Sequence, residues 1–190
     1  MIGVLGGVFD PPHNGHVELA RAAKERFRLE RLVVLVASAP GHKAVATPAE
    51  VRLELAQAAF PGDEVVLDDH AFTVDAVAGG RFGDAIFLVG ADEFADFLGW
   101  KDPEGVLGEV RLGVATRPGY PLERLEAIRG RLSEPDRVEL FEMPPHDVAS
   151  HELRRRLGAG DVPEDLVPAR VAELIRDRGL YREAGDPGYT

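Results

Sequence analysis

The sequence predicts an α/β fold, a doubly wound parallel sheet with helices on both faces, from three observations. Short apolar runs alternate with stretches of helical periodicity along most of the 190 residues. Cap and turn residues punctuate that alternation, notably Thr47-Pro48 and Gly179. The residues able to do chemistry fall just after predicted strands, where ligands sit in such sheets.

In chain order, Ile2–Leu5 is an apolar strand that runs into Gly6-Gly7, and Gly15–Phe27 is the first helix. Leu32–Ala37 is the second strand. Pro48–Ala59 is a helix, with Thr47 as N-cap and proline at its first position. Val65–Leu67, Ala85–Val89, Arg111–Ala115 and Val138–Leu140 supply the remaining strands. The helices among and after them are Thr73–Ala78, Glu93–Leu98, Pro121–Leu132, Ser150–Leu157 and Pro168–Arg178, the last closed by Gly179. Without internal repeat or linker, residues 1–183 read as one domain, with 150–181 a small helical appendix packed on the sheet. Residues 184–190 read as a frayed tail.

Composition narrows the function. A chain of this length buries a proper core, and 45% hydrophobic residues set disorder aside. No stretch approaches the ~20 unbroken apolar residues of a membrane span, and the first strand begins too early to leave room for a signal peptide. The absence of cysteine excludes disulfides and thiolate metal sites, and fits a cytoplasmic location. A net charge of −11 argues against a protein that coats nucleic acid. Small phosphorylated substrates remain, since they need only a local positive pocket. Lys43 and the Arg154-Arg155-Arg156 run are candidates for it, while most other Arg and Glu residues read as solvated surface. A homo-oligomer is left open.

Gly6 to His16, GGVFDPPHNGH, is the most informative segment. It places a glycine turn between a strand and a helix whose first turn carries His13 and His16. Glycine lets backbone N–H groups approach an anion closely, and a helix N-terminus presents N–H donors to it. Two imidazoles add side-chain donors. The combination suits a nucleoside triphosphate attacked at its α-phosphorus. Piece by piece, Gly-Gly also reads as a plain turn, and His-x-x-His as a surface pair or half a metal site. The whole string, however, resembles the first motif of the HxGH nucleotidyltransferases, Gly-Gly-x-Phe-Asp-Pro-x-His-x-Gly-His, in every position from Gly6 to His16.

Each remaining candidate has a plain reading and a functional one, the functional one for Thr73, Trp100 and Arg117 being what the resemblance implies. Lys43 is a flexible cation on a loop after the second strand, or simple surface. Thr73 is a helix N-cap, or a hydroxyl that joins a helix N–H in donating to a carboxylate. Gly90 permits close backbone approach at a strand end, and Asp92 can accept from a ribose hydroxyl or orient bound metal and water. Trp100, the only tryptophan, is a core or lid residue or an aromatic wall. Arg117 is a solvent-facing residue before a turn, or a ligand at a strand end. Ser150 is a good N-cap with Arg154 one turn later, a grip for phosphate oxygens.

These segments also resemble the bacterial nicotinate-nucleotide adenylyltransferases of NAD biosynthesis, over Gly3 through Tyr181. Pro40-Gly41-His42-Lys43 is close to their Pro-Pro-His-Lys loop, and Gly41 should make it more mobile. Phe72-Thr73 matches an aromatic-Thr pair at the pyridine end of the mononucleotide. Gly90-Ala91-Asp92 followed by Trp100 matches the same branch, and Arg117-Pro118-Gly119 a stretch near the adenine. Leu166-Val167-Pro168 and Gly179-Leu180-Tyr181 complete the likeness. The pattern Ile-Ser-Ser-Thr-x-Ile-Arg is kept only in part, with Ala149 for the first serine and His151 for the threonine, while Ser150 and Arg154 survive.

The resemblance implies a Rossmann-like nucleotidyltransferase fold that joins ATP to nicotinate mononucleotide, releasing pyrophosphate. It implies His13, His16, Lys43 and Arg154 as catalytic residues. Gly6, Gly7, Phe9, Asp10, His13, Gly15, His16, Gly90, Asp92, Arg117, Ser150 and Arg154 would bind ATP. Lys43, Phe72, Thr73, Asp92, Trp100 and Lys101 would bind the mononucleotide. Mg²⁺ would arrive with ATP, held by phosphates and water, with no protein residue as its ligand. Three alternatives stand beside this reading: the same chemistry on nicotinamide mononucleotide or phosphopantetheine, a nucleotide-binding sensor without turnover, and a metal-dependent hydrolase.

Overall fold

The computed structural model describes residues 1–39, 45, 47–145 and 150–182, and of Ser150 and His151 only the backbone. Among the described residues, six parallel strands form one sheet in the order β3-β2-β1-β4-β5-β6. These are β1 (Ile2–Gly7), β2 (Arg31–Ala37), β3 (Glu64–Asp68), β4 (Ala85–Gly90), β5 (Arg111–Thr116) and β6 (Val138–Glu142). All six lie where the apolar runs predict them. The order reverses between β1 and β4, so the loops after these two strands open side by side as a crevice.

Two cores follow from the period of two along each strand. Leu5, Val34, Val36, Ile86 and Leu88 point to one face, beneath α1 (Asn14–Phe27), α2 (Ala49–Ala59), α7 (Ser150–Gly158) and α8 (Ala169–Arg178). Val4, Val33, Leu35, Phe87, Val89, Leu112 and Val114 point to the other. That face is covered by α3 (Thr73–Val77), α4 (Ala91–Ala95), a 3₁₀ turn (Phe97–Gly99), α5 (Pro103–Glu109) and α6 (Leu122–Arg129). Strands flanked on both faces must be apolar at nearly every position, as β2 is.

Several boundaries differ from the sequence reading. Pro48 itself is the N-cap of α2, and Thr47 lends its carbonyl to Arg52 instead of a capping hydroxyl. Thr73 is the first residue of α3, whose N-cap is Phe72. Ser150 likewise stands inside the first turn of α7. The helix predicted over Glu93–Leu98 divides into α4 and the 3₁₀ turn, because the Asp96 backbone at φ −103° and ψ 5° tightens the chain. The helix expected over Pro121–Leu132 ends earlier, at Arg129. Helix α5 was not anticipated. Asp102 caps it by accepting from the Gly105 N–H at 2.9 Å, and Pro103 follows at its first position. Gly179 does close α8, at φ +60°. The expected tail, 184–190, lies outside the described residues.

Candidate active site

The turn after β1 is shaped by close packing. A Cβ on Gly6 would lie 2.8 Å from the Phe87 ring, and one on Gly7 2.9 Å from the ring of Phe9. The glycines therefore make room for aromatic rings, beyond any approach of a ligand. Phe9 adopts φ +52°, folds back and is 2% exposed. Its ring meets that of His16 edge-on at 5.1 Å and that of Phe60 at 5.8 Å. Phe9 thus backs a histidine from inside the core.

His13 is the N-cap of α1, with extended backbone. Its N–H donates to Nδ1 of His16 at 3.2 Å, and the two rings stack with centroids 3.7 Å apart. An Nδ1 that accepts leaves the proton of a neutral His16 on Nε2, which is then a donor. His13 is 8% exposed. Gly15, between them, occupies the first turn of α1.

The C-terminal part reaches back to this loop. Arg154 Nη1 donates to the Asp10 carbonyl at 2.7 Å, and the Tyr181 hydroxyl to Asp10 Oδ1 at 2.8 Å. Asp10 is 5% exposed, so its carboxylate serves the loop from inside. The Asn14 N–H donates to the Leu166 carbonyl at 2.9 Å, and its side-chain amide to that of Asp165. Arg154 thereby brings its charge to the segment carrying both histidines.

The loop after β4 forms the other wall. Glu93 accepts from the Gly90 N–H at 3.1 Å, so that amide is already engaged. Asp92 accepts from Arg117 at 3.2 Å and from the Tyr120 hydroxyl at 3.3 Å, beyond the ends of β4 and β5. Burial first, and then the Asp92 charge, push the Tyr120 hydroxyl up from its ordinary range. A third group gathers at α3. The Lys101 ammonium lies 4.6 Å from the centre of the exposed Phe72 ring and 2.9 Å from Asp75 Oδ2. Trp100 stands edge-on to buried Phe97 at 5.2 Å, and Thr73 opens the helix beside them.

The structure therefore brings His13, His16, Asp10 and Arg154 into one cluster, Asp92 and Arg117 into a second, and Phe72 and Lys101 into a third. Lys43, its neighbours 40–44 and Ala149 lie outside the described residues, as do the side chains of Ser150 and His151. Sequence reasoning missed Arg52, Tyr120 and Asp75 as partners. Arg52 had a visible signal: it shares a helical face with Leu55, Ala56 and Ala59, all buried.

Comparison with known proteins agrees with this architecture. The cytidylyltransferase-like family matches residues 4–156. A Rubrobacter xylanophilus protein named "Probable nicotinate-nucleotide adenylyltransferase" is 37% identical over 197 residues, covering 95% of this chain and 92% of that protein. A Moorella thermoacetica protein of the same name is 36% identical over 205 residues, covering 99% and 94%. In fold, the chain matches the Plasmodium falciparum nicotinic acid mononucleotide adenylyltransferase complexed with NaAD, with a TM-score of 0.72 at 18% identity, over 95% of this chain and 96% of the other. The sheet order, the loop bearing His13 and His16, and relatives matched over nearly their full length place this chain in the cytidylyltransferase-like family and, within it, among the nicotinate-nucleotide adenylyltransferases.

Proposed function

We propose that the chain transfers the adenylyl group of ATP to nicotinate mononucleotide, giving deamido-NAD and pyrophosphate. The observation that carries this is the stacked His13–His16 pair at the start of α1, set at the switch point of the sheet. The mononucleotide phosphate is already an anionic nucleophile, so no deep general base is needed. One of its oxygens forms the new bond to the α-phosphorus, and the bond from that phosphorus to the bridging oxygen breaks. Pyrophosphate leaves with the electron pair. The difficulty is to bring two anions together and to stabilise charge on the departing bridge, which is positioning plus electrostatics.

The His16 Nε2 donor serves the α-phosphate or the bridge, with His13 beside it. Arg154, Lys43 and the first turn of α7 at Ser150 hold the outer phosphates. Arg117 and Asp92 serve the adenosine side. Phe72, Thr73, Trp100 and Lys101 receive the pyridine ring and its carboxylate. Mg²⁺ enters as part of the ATP substrate and offsets its charge. We assign its ligands to the phosphates and water, the way Mg²⁺ commonly binds nucleotides. The lack of cysteine suits the reducing cytoplasm in which we place the reaction. Among the described residues, no helix is long and apolar enough to cross a membrane.

The test is pyrophosphate release with ATP and, in turn, nicotinate mononucleotide, nicotinamide mononucleotide and phosphopantetheine. The acid mononucleotide should give the highest kcat/KM. Rejection of the acid in favour of the amide would overturn the acceptor, and ATP binding with no pyrophosphate from any acceptor would overturn the reaction.

A further inference from the structure

The described residue with the least expected position is Arg52, whose side chain is 1% exposed and the largest of those fully buried. A buried guanidinium must have its donors satisfied or it destabilises the fold. Four carbonyls engage all three of its nitrogens. Nε donates to Thr47 O at 3.1 Å, Nη1 to Val8 O at 2.9 Å and to Ala37 O at 2.6 Å, and Nη2 to Ser38 O at 3.0 Å. Burial lowers its pKa from the ordinary value, while Asp10, Tyr181 and Glu50, in that order, oppose the shift.

The origin of these carbonyls matters more than their number. Val8 follows the last residue of β1 and precedes Phe9, the residue that backs His16. Ala37 ends β2, and Ser38 lies just beyond it. Parallel strands stop here, so these carbonyls leave the ladder and need new donors. Thr47 stands before α2. In sequence, Ser38 and Thr47 flank the segment that contains Lys43. One planar fork thus ties the loop carrying the histidines to both ends of the segment carrying Lys43. Lysine, a single point of charge, cannot span the same set.

We propose that Arg52 is a positioning residue for adenylyl transfer, acting through Val8 and Phe9 on the placement of His16. This rests on the reaction proposed above. Arg52 touches no substrate in this scheme. It holds the register between the loop that meets the α-phosphate and the end of the neighbouring strand.

The test compares the wild-type chain with Arg52→Lys and Arg52→Gln, at a temperature where circular dichroism shows each folded. The readouts are pyrophosphate release with ATP and nicotinate mononucleotide, and the ¹⁵N shifts of the His16 ring. In both folded variants kcat should fall about 10- to 100-fold, the scale of a misplacement near 1 Å. Both KM values should stay within about threefold, since placement, not binding, is lost. The His16 nitrogens should shift as their tautomer preference relaxes. Folded variants with wild-type kcat would overturn the proposal. So would a kcat loss proportional to the unfolded fraction with unchanged His16 signals, and so would failure of both variants to fold, each assigning Arg52 to stability alone. An inactive wild-type chain would instead overturn the reaction, which separates the two failures.

Discussion

At the scale of single residues, His16 does two jobs with two nitrogens. Nδ1 accepts from the His13 N–H at the helix start, so a neutral ring carries its proton on Nε2 as a donor. His16→Ala should cut turnover roughly 10²- to 10³-fold, the loss typical of one preorganised donor. His16→Asn carries an oxygen near the position of Nδ1, so it should keep thermal stability and still lose turnover. Steady-state kinetics beside a melting curve checks both, and near-wild-type turnover in either variant would remove His16 from the chemistry. Tyr181 makes a different prediction. Burial first, and then Asp10 as a charge and as acceptor of its hydrogen bond, push its hydroxyl above the usual phenol range. In the unfolded chain it ionises at about 10. Above that pH the unfolded chain gives up a proton that the folded chain keeps, so this contribution is whole below about 10 and falls as pH rises further. Tyr181→Phe should flatten that alkaline decline, and at neutral pH should cost about 1–3 kcal/mol, because a buried carboxylate loses a donor. Urea unfolding at both pH values would show it, and equal alkaline slopes would count against it.

At the scale of elements, the β1–α1 turn depends on space as well as on donors. Gly7→Ala would drive a methyl into the Phe9 ring, 2.9 Å away, and Phe9 is wedged between Phe60 and His16. We expect a stability loss of about 1–3 kcal/mol, the usual cost of overpacking, together with a fall in kcat as Phe9 is displaced from His16. A variant with unchanged melting and unchanged kcat would show that the turn relaxes freely. The capping pattern of α4 has a consequence too. Glu93 occupies the Gly90 amide, so Glu93→Ala should free that donor and shift KM for ATP, which a titration of ATP against initial rate would detect.

At the scale of the molecule, the C-terminal helices complete both the core and the site. Val171, Ala172 and Ile175 of α8 are buried in the same core as Leu55 and Ala56 of α2. Tyr181 and Arg154 reach from this region to Asp10, and Leu166 takes the Asn14 amide. A chain ending at Pro168 would strip two fully buried large apolar side chains, Val171 and Ile175, each contributing about 1.5–3 kcal/mol by burial. That is a large part of the 5–15 kcal/mol typical of a domain. Such a chain should lose its single cooperative thermal transition, and retention of one with wild-type midpoint would contradict the shared core.

Local rules wrote much of this protein into its sequence. The six strands were legible because parallel strands covered on both faces leave long apolar runs, and the Gly6–His16 string was legible because its chemistry is contiguous. Helix α5 was not, since its seven residues carry two glycines and a weak apolar period, and a cap decides its start. Partnerships across the chain were equally hidden: Asp10 with Tyr181 lies 171 residues apart, and Arg52 with Val8 44. Residue type and spacing determine what a segment can become and which groups can donate. Which carbonyl an arginine reaches, whether a phenylalanine faces ligand or core, and which nitrogen of His16 carries the proton depend on atoms that only packing brings together, and those the tertiary structure alone decided.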